Sequence, residues 1–88
     1  MATAKIVLLN WNGEEYLGRF LPGVIAAAAE EGVGVAVVDN GSTDGSRALL
    51  ADRFPDVELV ALDANYGFAG GYNRGLEHIE ADYFLLLN

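Results

Sequence analysis

The residues able to do chemistry gather in one short stretch. Asp39-Asn40-Gly41-Ser42-Thr43-Asp44-Gly45-Ser46 follows the apolar run Val35-Ala36-Val37-Val38 and precedes a helical pattern. It holds two carboxylates, a carboxamide, three hydroxyls and two glycines. An ionised carboxylate accepts N–H donors strongly, glycine lets a ligand approach the backbone, and a helix start just beyond adds free N–H groups. In open parallel sheets ligands bind beyond the carboxyl ends of the strands, so such a tip is a candidate site. The plainer reading uses the same residues: Asp39, Asn40 and Gly41 as a turn, with Ser42, Thr43 or Asp44 capping the next helix. At this point both stand.

Other strand tips carry similar groups. Asn10 and Asn12 close the first apolar run, and Asn88 closes the last. Asn65 precedes Gly67-Phe68-Ala69-Gly70-Gly71, which leads into a helical pattern but matches neither GxGxxG nor the P-loop. A dinucleotide dehydrogenase and a P-loop ATPase are therefore weak readings, although the place of these glycines suits phosphate. Trp11, one residue past a tip, could stack on a planar ring, but on the residues alone it reads more simply as core. His78 has no His or Cys at ligand spacing and reads as solvent-facing.

The elements that must position these residues follow from periodicity. Lys5 to Asn10 is an unbroken apolar run closed by Asn, the pattern of a strand covered on both faces. Glu14-Glu15 put negative charge where a helix start prefers it, and Leu17, Leu21, Val24, Ile25 and Ala28 recur at helical spacing. Pro22-Gly23 interrupts them, which predicts a kink or two consecutive helices. Val33 to Val38 is the second strand, with Gly34 suited to a close neighbouring backbone. A helix from about Asp44 to Phe54 turns Ala48, Leu49 and Ala51 inward and stops at Pro55. Val57 to Leu62 alternates like an edge strand. Phe68 to Ile79 is a helix despite three costly glycines, which suggests close approach of a backbone or a ligand. Asp82 to Asn88 is the fourth strand. This alternation predicts an α/β fold: a three-layer, Rossmann-like parallel sheet in the order 3-2-1-4.

Composition narrows the function classes. Of 88 residues 52% are hydrophobic, enough for one small core and against disorder. Thirteen acidic residues oppose five scattered basic ones, giving a net charge of −8 and making nucleic acid an improbable partner. With no cysteine, disulfides and cysteine-based metal sites are excluded, and the simplest compartment is reducing and cytoplasmic. No run reaches the ~20 apolar residues of a transmembrane helix. Attachment to the inner face of a membrane would fall to other parts of a longer protein.

Four stretches together resemble a known family. Val7-Leu8-Leu9-Asn10-Trp11-Asn12-Gly13, Val37 to Ser46, Asn65 to Gly75 and Asp82 to Asn88 are similar, in order and spacing, to the N-terminal part of glycosyltransferase family 2, its rhamnosyltransferase-like branch above all. The resemblance implies the nucleotide-binding half of a GT-A fold, using a UDP- or dTDP-linked sugar and a divalent metal, Mg or Mn. By that likeness Asp39 accepts a hydrogen bond from the imide N–H of uracil or thymine, and Trp11 packs on the base, reversing the core reading. Asp44 supports the loop or approaches the nucleotide, while Asn65, Gly67 and Gly70 line the wall beside nucleoside and diphosphate. Asn10, Asn12, Asn40, Gly41 and Asn88, at the strand tips that the 3-2-1-4 order is expected to bring together, complete the candidate site.

In relatives the fourth strand runs into an Asp-x-Asp-type motif that holds the metal, and the sequence stops at Asn88, where that motif should start. Residues 1–88 are thus expected to be a half-domain with no catalytic residue and no metal ligand of its own, unable to transfer sugar alone. A nucleotidyltransferase is a weaker alternative, because Asn10-Trp11-Asn12-Gly13 lacks the arginine of a phosphate loop. A third reading is a binding module that self-associates through the open edge of the fourth strand.

Overall fold

The computed structural model describes residues 2–87. Four strands alternate with three helices: β1 (Ala4–Asn10), α1 (Glu14–Glu31), β2 (Gly34–Asp39), α2 (Ser46–Arg53), β3 (Glu58–Ala61), α3 (Gly67–Leu76) and β4 (Tyr83–Leu87). All pairings are parallel and the order is β3-β2-β1-β4, as the alternation predicts. In this register Asn10 stands beside Asp39, so the polar tips of β1 and β2 end level.

Successive side chains of a strand point to opposite faces, and here both faces are covered. Leu8 and Val37 pack with Leu17 and Leu21 of α1 and Leu50 of α2. Val7, Ala36 and Val38 pack on the other side with Leu62, Tyr72 and Ile79. Val7, Ala36, Val37 and Val38 are fully buried, which explains why β1 and β2 read as continuous apolar runs. Each buried side chain of this kind contributes about 1.5–3 kcal/mol relative to exposure. The edges are poorer: Tyr83, Leu85, Leu86 and Leu87 of β4 all remain exposed. Among the described residues, no helix is long and apolar enough to cross a membrane.

Several local expectations are corrected. Of the two expectations for Pro22, the division into consecutive helices is corrected, because α1 is a single element containing it. Pro22 lies on the exposed side of the helix. On α2 the inward residues are Ser46 and Leu50, with Leu49 partly buried, while Ala48 and Ala51 face solvent. Small alanines fit either side of a helix, and the bulkier Leu50 wins the core. β2 begins at Gly34, whose near neighbour is the aliphatic stem of Lys5, 3.2 Å from where a Cβ would stand, and not a backbone. α3 starts at Gly67 and stops at Leu76. His78 and Ile79 then bond back to the carbonyls of Gly75 and Leu76, a tight turn that drops Ile79 into the core and leaves His78 exposed.

Two glycines of α3 answer the question of their cost. A Cβ on Gly75 would fall 2.3 Å from Val38 Cγ2, and one on Gly71 would fall 2.9 Å from Leu9 Cδ1 and 2.8 Å from Asn40 Nδ2. The glycine face lets α3 lie directly on β1 and β2. The close approach is thus to the sheet.

Candidate functional site

Asp39 is the last residue of β2 and is fully buried. A buried carboxylate is tolerated only when paired and hydrogen-bonded, and here both oxygens are filled. Oδ1 accepts from Asn10 Nδ2 at 3.0 Å and from Ser42 Oγ at 2.6 Å. Oδ2 accepts from the Ser42 backbone N–H at 3.1 Å and from Arg47 Nε at 2.7 Å. Arg47 also donates from Nη2 to the Leu62 carbonyl, tying the start of α2 to the end of β3. Burial pushes the Asp39 carboxyl up, but the bonds from the Ser42 hydroxyl, Arg47, Asn10 and the Ser42 N–H outweigh it and hold the group below its ordinary value. Asp39 is therefore an anion at neutral pH.

Around this anion three loops are sewn together by carboxamides. Asn12, at φ 51°, uses its backbone N–H on Ser42 Oγ and its Oδ1 on the N–H groups of Thr43 and Asp44, at 2.7 and 3.2 Å. Asn40 reaches the other way: Oδ1 accepts from Tyr66 N–H, and Nδ2 donates to Asn65 Oδ1 and the Gly67 carbonyl. Asn65 Oδ1 in turn accepts from Gly67 N–H at 2.8 Å. Gly41 sits between them with φ +76°, and a Cβ there would lie 2.4 Å from the Ala64 carbonyl carbon. Only glycine meets both demands. Gly13 is needed for a related reason, since its Cβ would fall 2.5 Å from Asn10 Oδ1.

Asp44 joins the two helix starts. Oδ2 accepts from Glu14 N–H, the first residue of α1, and Oδ1 accepts from the N–H and Oγ of Ser46, the first residue of α2. Glu14 returns the contact by accepting from Gly45 N–H at 3.0 Å. The Ser46 hydroxyl leads the interactions that hold the Asp44 carboxyl below its ordinary value. Each carboxylate thus caps orphan N–H groups near a helix start, where negative charge is favoured.

The structure thus brings Asn10, Asn12, Asp39, Asn40, Gly41 and Asp44 together at the tips of β1 and β2, with Asn65 and Gly67 joined through Asn40. Gly70 lies one turn along α3, where a Cβ would meet Tyr66 at 3.2 Å. Asn88 lies outside the described residues. Trp11 is 55% exposed, which corrects the reading of it as core. Asn73 is exposed, and Arg74 places its guanidinium 3.9 Å from the Tyr66 ring centre, a cation–π contact that gives this arginine a partner. Sequence reasoning missed Arg47, and it offered Ser42 only as a helix cap and not as a partner of Asp39. A buried Asp39 demands a positive partner, and Arg47, eight positions on, answers that demand. Among the described residues no group of three or more His, Cys, Asp or Glu could hold a metal ion. Asp39 and Asp44 are filled by backbone N–H groups, hydroxyls, a carboxamide and an arginine, a donor set that does not fit a metal.

The family model described as glycosyl transferase family 2 matches residues 5–88. The chain is 34% identical over 74 residues to N-acetylglucosaminyl-diphospho-decaprenol L-rhamnosyltransferase of Mycobacterium tuberculosis, a match covering 84% of this chain and 24% of that relative. Among solved structures it is similar to S. aureus TarS 1-349, with a TM-score of 0.77 and 21% identity over 97% of this chain and 26% of that one. It is also similar to the mannosyltransferase PcManGT from Pyrobaculum calidifontis, solved in complex with GDP-Man and Mn2+, with a TM-score of 0.71 and 22% identity over 90% of this chain and 25% of that one. At these identities the structural likeness speaks for the fold, an α/β arrangement shared with GT-A glycosyltransferases. The chain spans about a quarter of the length of that curated relative. With the family model matched from Lys5 to the last residue and the 3-2-1-4 sheet in place, the chain belongs to glycosyl transferase family 2.

Proposed function

We propose that these residues bind the nucleotide of a donor sugar in a cytoplasmic family 2 glycosyltransferase, one that passes the sugar to a saccharide, lipid or protein acceptor in polysaccharide biosynthesis. The observation that carries this is the buried, fully paired Asp39 at the tip of β2, beside Asn10 at the tip of β1, which the exposed Trp11 follows in sequence, with Asn40 bonded to the loop at Asn65 and Gly67. In this reading Asp39 accepts the imide N–H of uracil or thymine and Trp11 packs on the base. Asn65, Gly67 and Gly70 flank nucleoside and diphosphate. Asn10, Asn12, Asn40, Gly41 and Asp44 keep the three loops in place. The neighbour solved with GDP-Man and Mn2+ supports a nucleotide sugar and a divalent ion as the ligand class, with Mg or Mn held by residues of a complete enzyme outside this stretch. Residues 1–88 alone then bind nucleotide without transferring sugar.

Calorimetric titration of the purified protein tests the base assignment. UDP and dTDP are expected to bind alike, since both bases show the same imide edge, and CDP and ADP, whose cytosine N3 and adenine N1 are acceptors, at least about tenfold more weakly, the order of one hydrogen bond to a charged group. Equal affinity for all four diphosphates contradicts a base read by Asp39.

A further inference from the structure

Asp39 has a full set of donors before any ligand arrives, and this raises a question of access. Each oxygen already accepts two hydrogen bonds, and the side chain has no exposed surface. An imide N–H can reach it only by displacing a donor. Three of the four have nowhere to go. Asn10 is itself buried, the Ser42 N–H is fixed by the backbone, and the Ser42 hydroxyl also accepts from Asn12 N–H and Asn10 Nδ2. The fourth, Arg47, is different in kind. Its side chain is 44% exposed, so its guanidinium can exchange its bonds to Asp39 and the Leu62 carbonyl for water. It also carries the charge that makes Asp39 tolerable while the site is empty.

We propose that Arg47 is a latch on the base site: its Nε–H holds the place on Asp39 that the imide N–H takes, so that nucleotide binding and the Asp39–Arg47 pair exclude one another. The inference rests on Asp39 as the base reader and adds a specificity-determining residue to it. In the empty state Arg47 keeps a buried anion paired. On binding, one N–H donor replaces another and the guanidinium is released to solvent. A base without an imide or equivalent N–H cannot make the exchange, and so cannot open the latch.

Three variants and one resonance test this. Arg47→Met keeps the length of the stem but removes the donor, and is expected to lower the unfolding midpoint while tightening UDP binding about tenfold, the order of one charge-assisted hydrogen bond no longer broken on binding. Arg47→Gln puts an amide N–H where Nε stood and should bring the affinity back toward that of the unaltered protein. A merely structural arginine gives the opposite sign, with stability and affinity falling together. In the unaltered protein the Arg47 Nε–H resonance, held by Asp39 in the free state, should shift and exchange faster as UDP is added. That readout stands even if a variant fails to fold. Asp39→Asn separates the two levels. If it abolishes UDP binding while Arg47→Met binds no tighter and the Nε–H resonance stays fixed, the latch is wrong and the base assignment survives. If Asp39→Asn binds UDP as well as the unaltered protein, both fall.

Discussion

At the scale of single residues, the site is held by positions that tolerate no substitute. Gly41 combines a left-handed backbone with a neighbouring carbonyl carbon 2.4 Å from any added Cβ. Gly41→Ala is expected to destabilise the protein by about 2–4 kcal/mol, through strain and displacement of the Ala64 segment. Gly23 is its control. It lies inside α1 with nothing within 4 Å of an added Cβ, so Gly23→Ala should stabilise by about 0.5–1 kcal/mol. Urea unfolding of both variants checks the pair, and equal effects would show that the loop at Gly41 is not packed as described. The sequence showed the glycine but not which demand it meets. The collision partner is 23 positions away, and no local pattern records it.

At the scale of elements, the strands were legible and the helix faces less so. Runs such as Val35 to Val38 stay apolar because both sides of the sheet are covered, and that pattern is local. Which face of α2 turns inward is decided by what α1 and β2 leave free, and Leu50 takes that space ahead of Ala48 and Ala51. Likewise α1 continues through Pro22, which lies on its exposed side. The joint between α1 and α2 is carried by Asp44, which serves the first N–H of each helix. Its folded pKa lies below the ordinary 3.8. The stabilisation is thus fully present above that ordinary value and is lost as pH falls through the lowered one. Asp44→Asn should therefore lower the urea midpoint at pH 7 and flatten its fall at acid pH. A variant with the parent's slope and midpoint would remove Asp44 as the joint.

At the scale of the whole molecule, the carboxyl ends of β1 and β2 form one pole and the opposite ends of the strands another. The sequence told the poles apart, because Asn10, Asp39 and Asn40 end apolar runs. It did not show that Asp39 arrives fully bonded, since Arg47 reaches it from α2 and Asn10 from β1, 29 positions away. The second pole has a cavity of its own, about 390 Å³ lined by Ile25, Ala28, Val33, Phe54 and Val57 among others. It is largely apolar and far from the polar tips in the sheet register, and it competes as a place for a base ring. A net charge of −8 works against any diphosphate, so binding must come from specific contacts and not from general attraction. The backbone amide shift map of the protein titrated with UDP decides between the poles. The largest changes are expected at Trp11, at residues 39–44 and at residues 65–67, with Ile25, Phe54 and Val57 unmoved. Changes centred on those last three, or none at Trp11 and Asp39, would contradict base binding at the polar tips.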